Sequence, residues 1–231
     1  MNRPKILVFA SGTPEEGGGS GFENLVLASR TNGKLNADII GVVSNYGNGG
    51  VRKRADRLQI PFRHFPKPWV AEEYQRIARE SGADFFALSG WLKLVKGLDL
   101  STKFNSRAVF NIHPGPLPKF GGPGFFGHHV HEAVMEAFRR GEISYSAVCM
   151  HFVTEPKGPE DYDRGPVFFK FAIKIKNGDT PETLGKHVNE WEHIVQPTIT
   201  NLVVHGLIKW DGIDHKSLKV PLGYEYHRVM L

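Results

Sequence analysis

What this chain has little of narrows its chemistry first. Across 231 residues there is one cysteine, Cys149. A single thiol can neither close an internal disulfide nor build a thiolate zinc site, and a reducing compartment is the expected setting. No apolar run nears the ~20 residues that cross a bilayer as a helix, so no membrane partner is expected. A surplus of one charge is also missing: 29 Lys and Arg stand against 24 Asp and Glu, a formal net charge of +5. Basic residues gather only in short clusters, Arg52-Lys53-Arg54 and Arg139-Arg140. These read as solvated helix faces, and no nucleic-acid partner is expected. Internal repeats and low-complexity tracts are lacking too. The first strand-like run begins at Lys5, which leaves no room for a signal peptide, and the expected location is the cytoplasm.

What is present is the composition of a folded domain, 40% hydrophobic and 23% charged. Residues 5–10, 38–44, 62–65, 84–88 and 108–112 are short apolar runs of strand length. Residues 22–29, 51–58 and 70–81 have helical apolar spacing, with Gly82 placed to end the third. Further on, 128–140 reads as a helix, 147–154 and 167–175 as strands, and 180–204 as a long helix that Pro197 should kink or split. The alternation predicts an α/β fold: an open, mostly parallel twisted sheet with helices on both faces, in a single domain over 1–231. The tail after Trp210 carries no clear pattern.

Ligands of open α/β sheets bind outside the carboxyl ends of the strands, which selects four loops: 11–21, 44–50, 89–96 and 111–127. The first is glycine-rich and precedes a helix, where backbone N–H groups and the helix terminus suit an anion. It is neither GxGxxG nor a P-loop, since Phe22 stands where a third glycine is needed and no Gly-Lys-Ser/Thr follows. A phosphate site and a loose surface loop are both open readings of it.

The fifth strand ends in Asn111-Ile112-His113-Pro114. Alternation puts Asn111 and His113 on one side of the strand. An amide suits a developing oxyanion and an imidazole suits proton transfer. Glu160, Asp161 and Asp163 are candidate carboxylate partners; Asp163, just ahead of Gly165-Pro166, is favoured. A carboxylate beside His113 should raise the imidazole pKa and favour imidazolium. The run His128-His129-Val130-His131-Glu132 is not HExxH, and it reads as a helix start bearing exposed histidines; no metal is expected. Cys149, in an apolar strand, reads as core.

These motifs converge on a resemblance. Asn111-Ile112-His113-Pro114 with Leu117-Pro118-Lys119-Phe120-Gly121-Gly122, Ser89-Gly90-Trp91-Leu92-Lys93-Leu94, and His151-Phe152-Val153-Thr154 with Asp163-Arg164-Gly165-Pro166-Val167 are similar to the signature segments of folate-dependent formyltransferases. The match covers about residues 5–210. It is closest to the branch that formylates glycinamide ribonucleotide in purine synthesis, through the loop Gly19-Ser20-Gly21 and the pair Glu192-His193. The resemblance implies 10-formyltetrahydrofolate as co-substrate, direct amine attack and no metal. It implies Asn111, His113 and Asp163 as catalytic, and Gly19, Ser20, Gly21 and Glu192 as substrate-binding. Leu92, Lys93, Leu94, Val95 and Thr154 would bind folate. Its partners are small molecules, with the chain a monomer or homodimer. Other formyl-handling enzymes, such as a sugar-amine formyltransferase or a formyltetrahydrofolate hydrolase, share the Asn–His–Asp set, and a non-catalytic binding protein on the same fold is a further alternative. Two departures stand out: Pro14-Glu15-Glu16 lengthens the first loop, placing acid near the expected phosphate, and the 154–163 loop is long.

Overall fold

Side-chain alternation along the first strand sets the layering. In the computed structural model, which describes residues 2–15, 17–31, 33–222 and the backbone of 227–229, β1 (Lys5–Phe9) sends Ile6 and Val8 into one core and Leu7 and Phe9 into another. A strand with both faces apolar has to be covered on both sides. The first core takes the apolar faces of α1 (Ser20–Thr31) and α2 (Gly50–Leu58), and of α4 (His128–Arg139) and α5 (Pro181–Val204). The second is covered by α3 (Ala71–Ser81), through Tyr74, Ile77 and Ala78, and by the segment around Trp91, Val95 and Phe104.

The remaining strands are β2 (Asp38–Ser44), β3 (Phe62–His64), β4 (Phe85–Ser89), β5 (Val109–His113), β6 (Tyr145–Phe152), β7 (Val167–Lys174) and β8 (His227–Val229). Their order is β3-β2-β1-β4-β5-β6-β7-β8. Pairing is parallel from β3 to β5, antiparallel on either side of β6, and parallel again between β7 and β8. The chain leaves β1 towards β2 and β3 on one side and later places β4 and β5 on the other. The carboxyl ends of β1, β4 and β5 therefore flank the crevice where such sheets bind ligands.

Three features hold the walls of that crevice. The α5 N-terminus is closed by a reciprocal cap: Thr180 Oγ1 accepts from the Thr183 N–H at 3.3 Å, and Thr183 Oγ1 accepts from the Thr180 N–H at 2.9 Å. Pro197 does not split this helix, which runs unbroken from Pro181 to Val204. A proline lacks the N–H that would bond the carbonyl four residues back. That carbonyl, of His193, instead accepts from Asn24 Nδ2 on α1 at 2.7 Å, so the tertiary contact replaces the missing bond. On the opposite face the Trp91 indole N–H donates to the Tyr74 hydroxyl at 3.0 Å, and that hydroxyl donates to the Leu94 carbonyl at 3.2 Å. This chain pins the segment that follows β4. No helix among the described residues is long and apolar enough to cross a membrane.

Candidate active site

A cavity of about 430 Å³ opens at the carboxyl ends of β1, β4 and β5. It brings together most of the residues expected from the sequence. Gly19, Ser20 and Gly21 line one end, Asn111, His113 and Asp163 another part of the wall, and Leu92 and Glu192 also face it. Lys93, Leu94, Val95 and Thr154 do not line it. Val95 is buried in the second core, the Leu94 carbonyl holds the Tyr74 hydroxyl, and the Lys93 ammonium lies over the Trp69 ring, 4.5 Å from its centre.

The glycine-rich loop is folded rather than loose. The Thr13 N–H donates to the Gly17 carbonyl and the Gly17 N–H to Thr13 Oγ1, both at 3.0 Å. Gly18 has φ +77°, and a Cβ there would lie 2.3 Å from the Gly12 Cα, so this crossing of the chain over itself requires glycine. The loop delivers the start of α1, at Ser20, to the cavity. Pro14 and Glu15 are exposed and do not line it; Glu16 lies outside the described residues. The inserted acid is thus directed away at Glu15. The Ser20 hydroxyl bonds His193 Nε2 on α5 at 3.1 Å.

Around Asp163 the polar groups form one connected set. Asn111 and His113 lie two residues apart on β5 and both reach the cavity. His113 Nε2 donates to the Phe120 carbonyl at 2.6 Å, a group that can only accept, and this leaves Nδ1 facing Asp163 Oδ2 at 3.7 Å. That distance permits charge attraction but is too long for a hydrogen bond. Asp163 sits at φ +55°, which aims its carboxylate back under Gly122, whose N–H donates to Oδ2 at 3.1 Å. Asn111 Nδ2 contacts Asp163 Oδ1 at 3.3 Å and His151 Nε2 at 3.1 Å.

His151 is the member that sequence reasoning missed as a site residue. It stands directly opposite Asn111 across the antiparallel β5–β6 pair. Its Nδ1 donates to the Phe152 carbonyl at 2.8 Å, and its Nε2 lies 3.3 Å from Asp163 Oδ1. His151 stands in the segment His151-Phe152-Val153-Thr154 that carries part of the resemblance, but its place opposite Asn111 is a matter of cross-strand register.

Burial and charge then compete. Burial alone would raise the Asp163 pKa, but the His151 hydrogen bond and the charges of His151 and His113 outweigh it and hold the carboxyl at about 2. For His113 the balance falls the other way from the sequence expectation. Burial pushes it below its ordinary value, against the opposing pull of Asp163 and the Phe120 carbonyl. A fully enclosed imidazolium loses more hydration than a carboxylate 3.7 Å away returns. Glu192, on the cavity-facing side of α5, is raised by burial to about 7 despite the Asn189 amide donating to it at 3.1 Å.

The histidine run after Gly127 also departs from expectation. His128 and His129 are exposed, bonding Glu132 or Glu182, but His131 is buried in the cavity wall. Among the described residues no group of three or more His, Cys, Asp or Glu side chains is placed to hold a metal ion. Cys149 is a buried core thiol, raised by burial to about 11.

Comparison with known proteins places this arrangement in a family. The chain matches the sequence profile described as formyl transferase over residues 4–200. It is 34% identical over 220 residues to the chloroplastic phosphoribosylglycinamide formyltransferase of Arabidopsis thaliana, covering 91% of this chain and 70% of that protein. It is 31% identical over 201 residues to phosphoribosylglycinamide formyltransferase of Bacillus subtilis, covering 84% and 92%. The solved glycinamide ribonucleotide transformylase 1 of Geobacillus kaustophilus superposes with a TM-score of 0.71 at 28% identity, over 88% of this chain and all of that one. The cavity at the strand ends, its Asn–His–Asp set and these likenesses agree: this chain belongs to the formyl transferase family.

Proposed function

We propose that the protein transfers a formyl group from 10-formyltetrahydrofolate to the glycine amine of glycinamide ribonucleotide, a step of purine biosynthesis. The observation that carries this reading is the convergence, in one cavity, of Asn111, His113 and Asp163 with the start of α1 at Gly19-Ser20-Gly21. A helix start suits a phosphate, because its first N–H groups lack partners within the helix.

The amine nitrogen attacks the formyl carbon and the carbonyl electrons move to oxygen. His113 Nδ1 is the free nitrogen of a ring whose Nε2 is engaged by Phe120. It takes the proton lost by the attacking nitrogen, and the same proton goes to N10 of tetrahydrofolate as the tetrahedral intermediate collapses. Asp163, ionised, stabilises the imidazolium formed in between. The amide hydrogens of Asn111 face His151 and Asp163. The 3.3 Å contact to Asp163 is the longer, and releasing it frees a donor for the oxyanion. Glu192, once ionised, accepts a hydrogen bond from the acceptor substrate. Leu92 borders the pterin, with Lys93, Leu94, Val95 and Thr154 contributing from behind the wall. The setting we propose is cytoplasmic, with a single domain over 1–231 acting on small molecules as a monomer or homodimer.

The test offers the protein 10-formyltetrahydrofolate with and without glycinamide ribonucleotide and follows the formylated product. Amine-dependent product supports the reading. Folate consumed equally without the amine would replace it with a hydrolase.

A further inference from the structure

His131 differs from the other histidines around the cavity. It is only 7% exposed, and its Nδ1 is buried without a hydrogen-bond partner among the described residues. It nevertheless lines the cavity, and its Nε2 edge lies beside Gly185, which lines the cavity too. A neutral imidazole carries one N–H. On Nδ1 that hydrogen would be a buried, unsatisfied donor costing ~1–3 kcal/mol, so it resides on Nε2. Burial, with His128 and His113 nearby, holds the ring down to about 4, which keeps it neutral.

Gly185 on α5 explains how the ring stays open. A Cβ at that position would lie 2.8 Å from Cδ2 and 3.2 Å from Nε2 of His131. A glycine inside a helix costs ~1 kcal/mol relative to alanine; here its bare face leaves the Nε2 edge uncovered. Gly185, Asn189, Glu192 and Gln196 all line the cavity and follow the spacing of one helix face. His193, bonded to Ser20, lies eight residues beyond Gly185, about 12 Å along the helix axis. The His131 end is therefore remote from the helix terminus suited to phosphate, and it lies on the His113 side: a Cβ at Gly115 would meet both Val130, the neighbour of His131, at 2.6 Å and His113 Nε2 at 3.1 Å.

We infer that the His131 Nε2–H donates a hydrogen bond to the amide carbonyl oxygen of the formyl acceptor. This rests on the acceptor proposed above. In that molecule the carbonyl adjoins the carbon bearing the attacking amine, so an amine held at His113 brings it to this part of the wall. A neutral donor fits a neutral oxygen and leaves the phosphate to the other end.

His131→Phe keeps the ring's bulk and removes the donor. Steady-state kinetics with both substrates should show the KM for glycinamide ribonucleotide raised about tenfold, with the KM for 10-formyltetrahydrofolate and kcat changed less than about threefold. An acceptor with its carbonyl reduced to methylene should bind wild type and His131→Phe alike. Gly185→Ala, which keeps the imidazole but sets a methyl against its Cδ2–Nε2 edge, should raise the same KM and gives an answer even if His131→Phe does not fold; His131→Gln should recover most of the loss. Acceptor KM unchanged in these variants, or a rise confined to the formyl donor, overturns the inference while the proposed function stands. Wild-type protein inactive on this amine removes the proposed function and the inference together.

Discussion

The two walls of the cavity are built on opposite plans. On the strand side, Asn111, His113, His151 and Asp163 are tied to one another and to the backbone of Phe120, Gly122 and Phe152. On the helix side, among the described residues, Glu192 has one neighbouring amide, His193 has one hydroxyl, and His131 has a buried nitrogen without a partner. A saturated network holds groups in position before any ligand arrives, which is what proton transfer needs. Unsaturated polar groups on a rigid helix face leave hydrogen-bonding capacity for the ligand itself. The strand wall should therefore govern turnover, and the helix wall affinity and its pH dependence.

The most severe test of that division is Asp163→Asn. It keeps the shape but removes the charge that stabilises imidazolium, and kcat should fall by at least ~10²-fold with the fold retained; near-normal kcat would end the assignment of turnover to this wall. His151→Phe removes the imidazole whose Nε2 contacts both Asn111 and Asp163. Turnover should drop about tenfold with acceptor KM little changed, because the residue acts through Asp163 and Asn111 rather than on substrate; a change in KM alone would place it on the binding side.

Glu192→Gln sharpens the other half. The wild-type carboxyl, raised to about 7, is the stronger hydrogen-bond acceptor once ionised, so kcat/KM for the acceptor should rise through about pH 7 and lose that step in the variant. Stability follows the same group with the opposite slope. Its folded pKa lies above the ordinary value of 4.5, so its favourable contribution is complete below that value and is lost as pH rises through about 7. Denaturant titrations across this window should show a smaller loss for Glu192→Gln. The mildest effect is expected for Asn24→Ala, which deprives the His193 carbonyl of its partner at 2.7 Å. Equilibrium unfolding should register about 1 kcal/mol, with activity largely kept.

Much of the strand wall was legible in the sequence because it obeys a local rule. Alternation puts Asn111 and His113 on one side, and the Gly-Pro after Asp163 marks where the chain re-enters a strand. The helix wall was partly legible too: Glu192 was identified, by resemblance. Three features were not legible, for one shared reason. His151 depends on the register of β6 against β5. The burial of His131 depends on how α4 lies against α5. The unbroken course of α5 depends on an amide from α1. Each is a contact between segments distant in sequence, and local pattern has no access to it.

The sequence by itself determined the fold class, the positions of the helices and the strands of the first 210 residues, and the pair Asn111 and His113, because those follow from apolar periodicity and strand alternation. Only the tertiary structure decided the charge state of His113. A carboxylate beside an imidazole argues for imidazolium as long as both are considered in isolation. Enclosing His113 in the packed interior removes its hydration, and that loss, a property of the packed whole, outweighs the pull of Asp163 and the Phe120 carbonyl and reverses the sign.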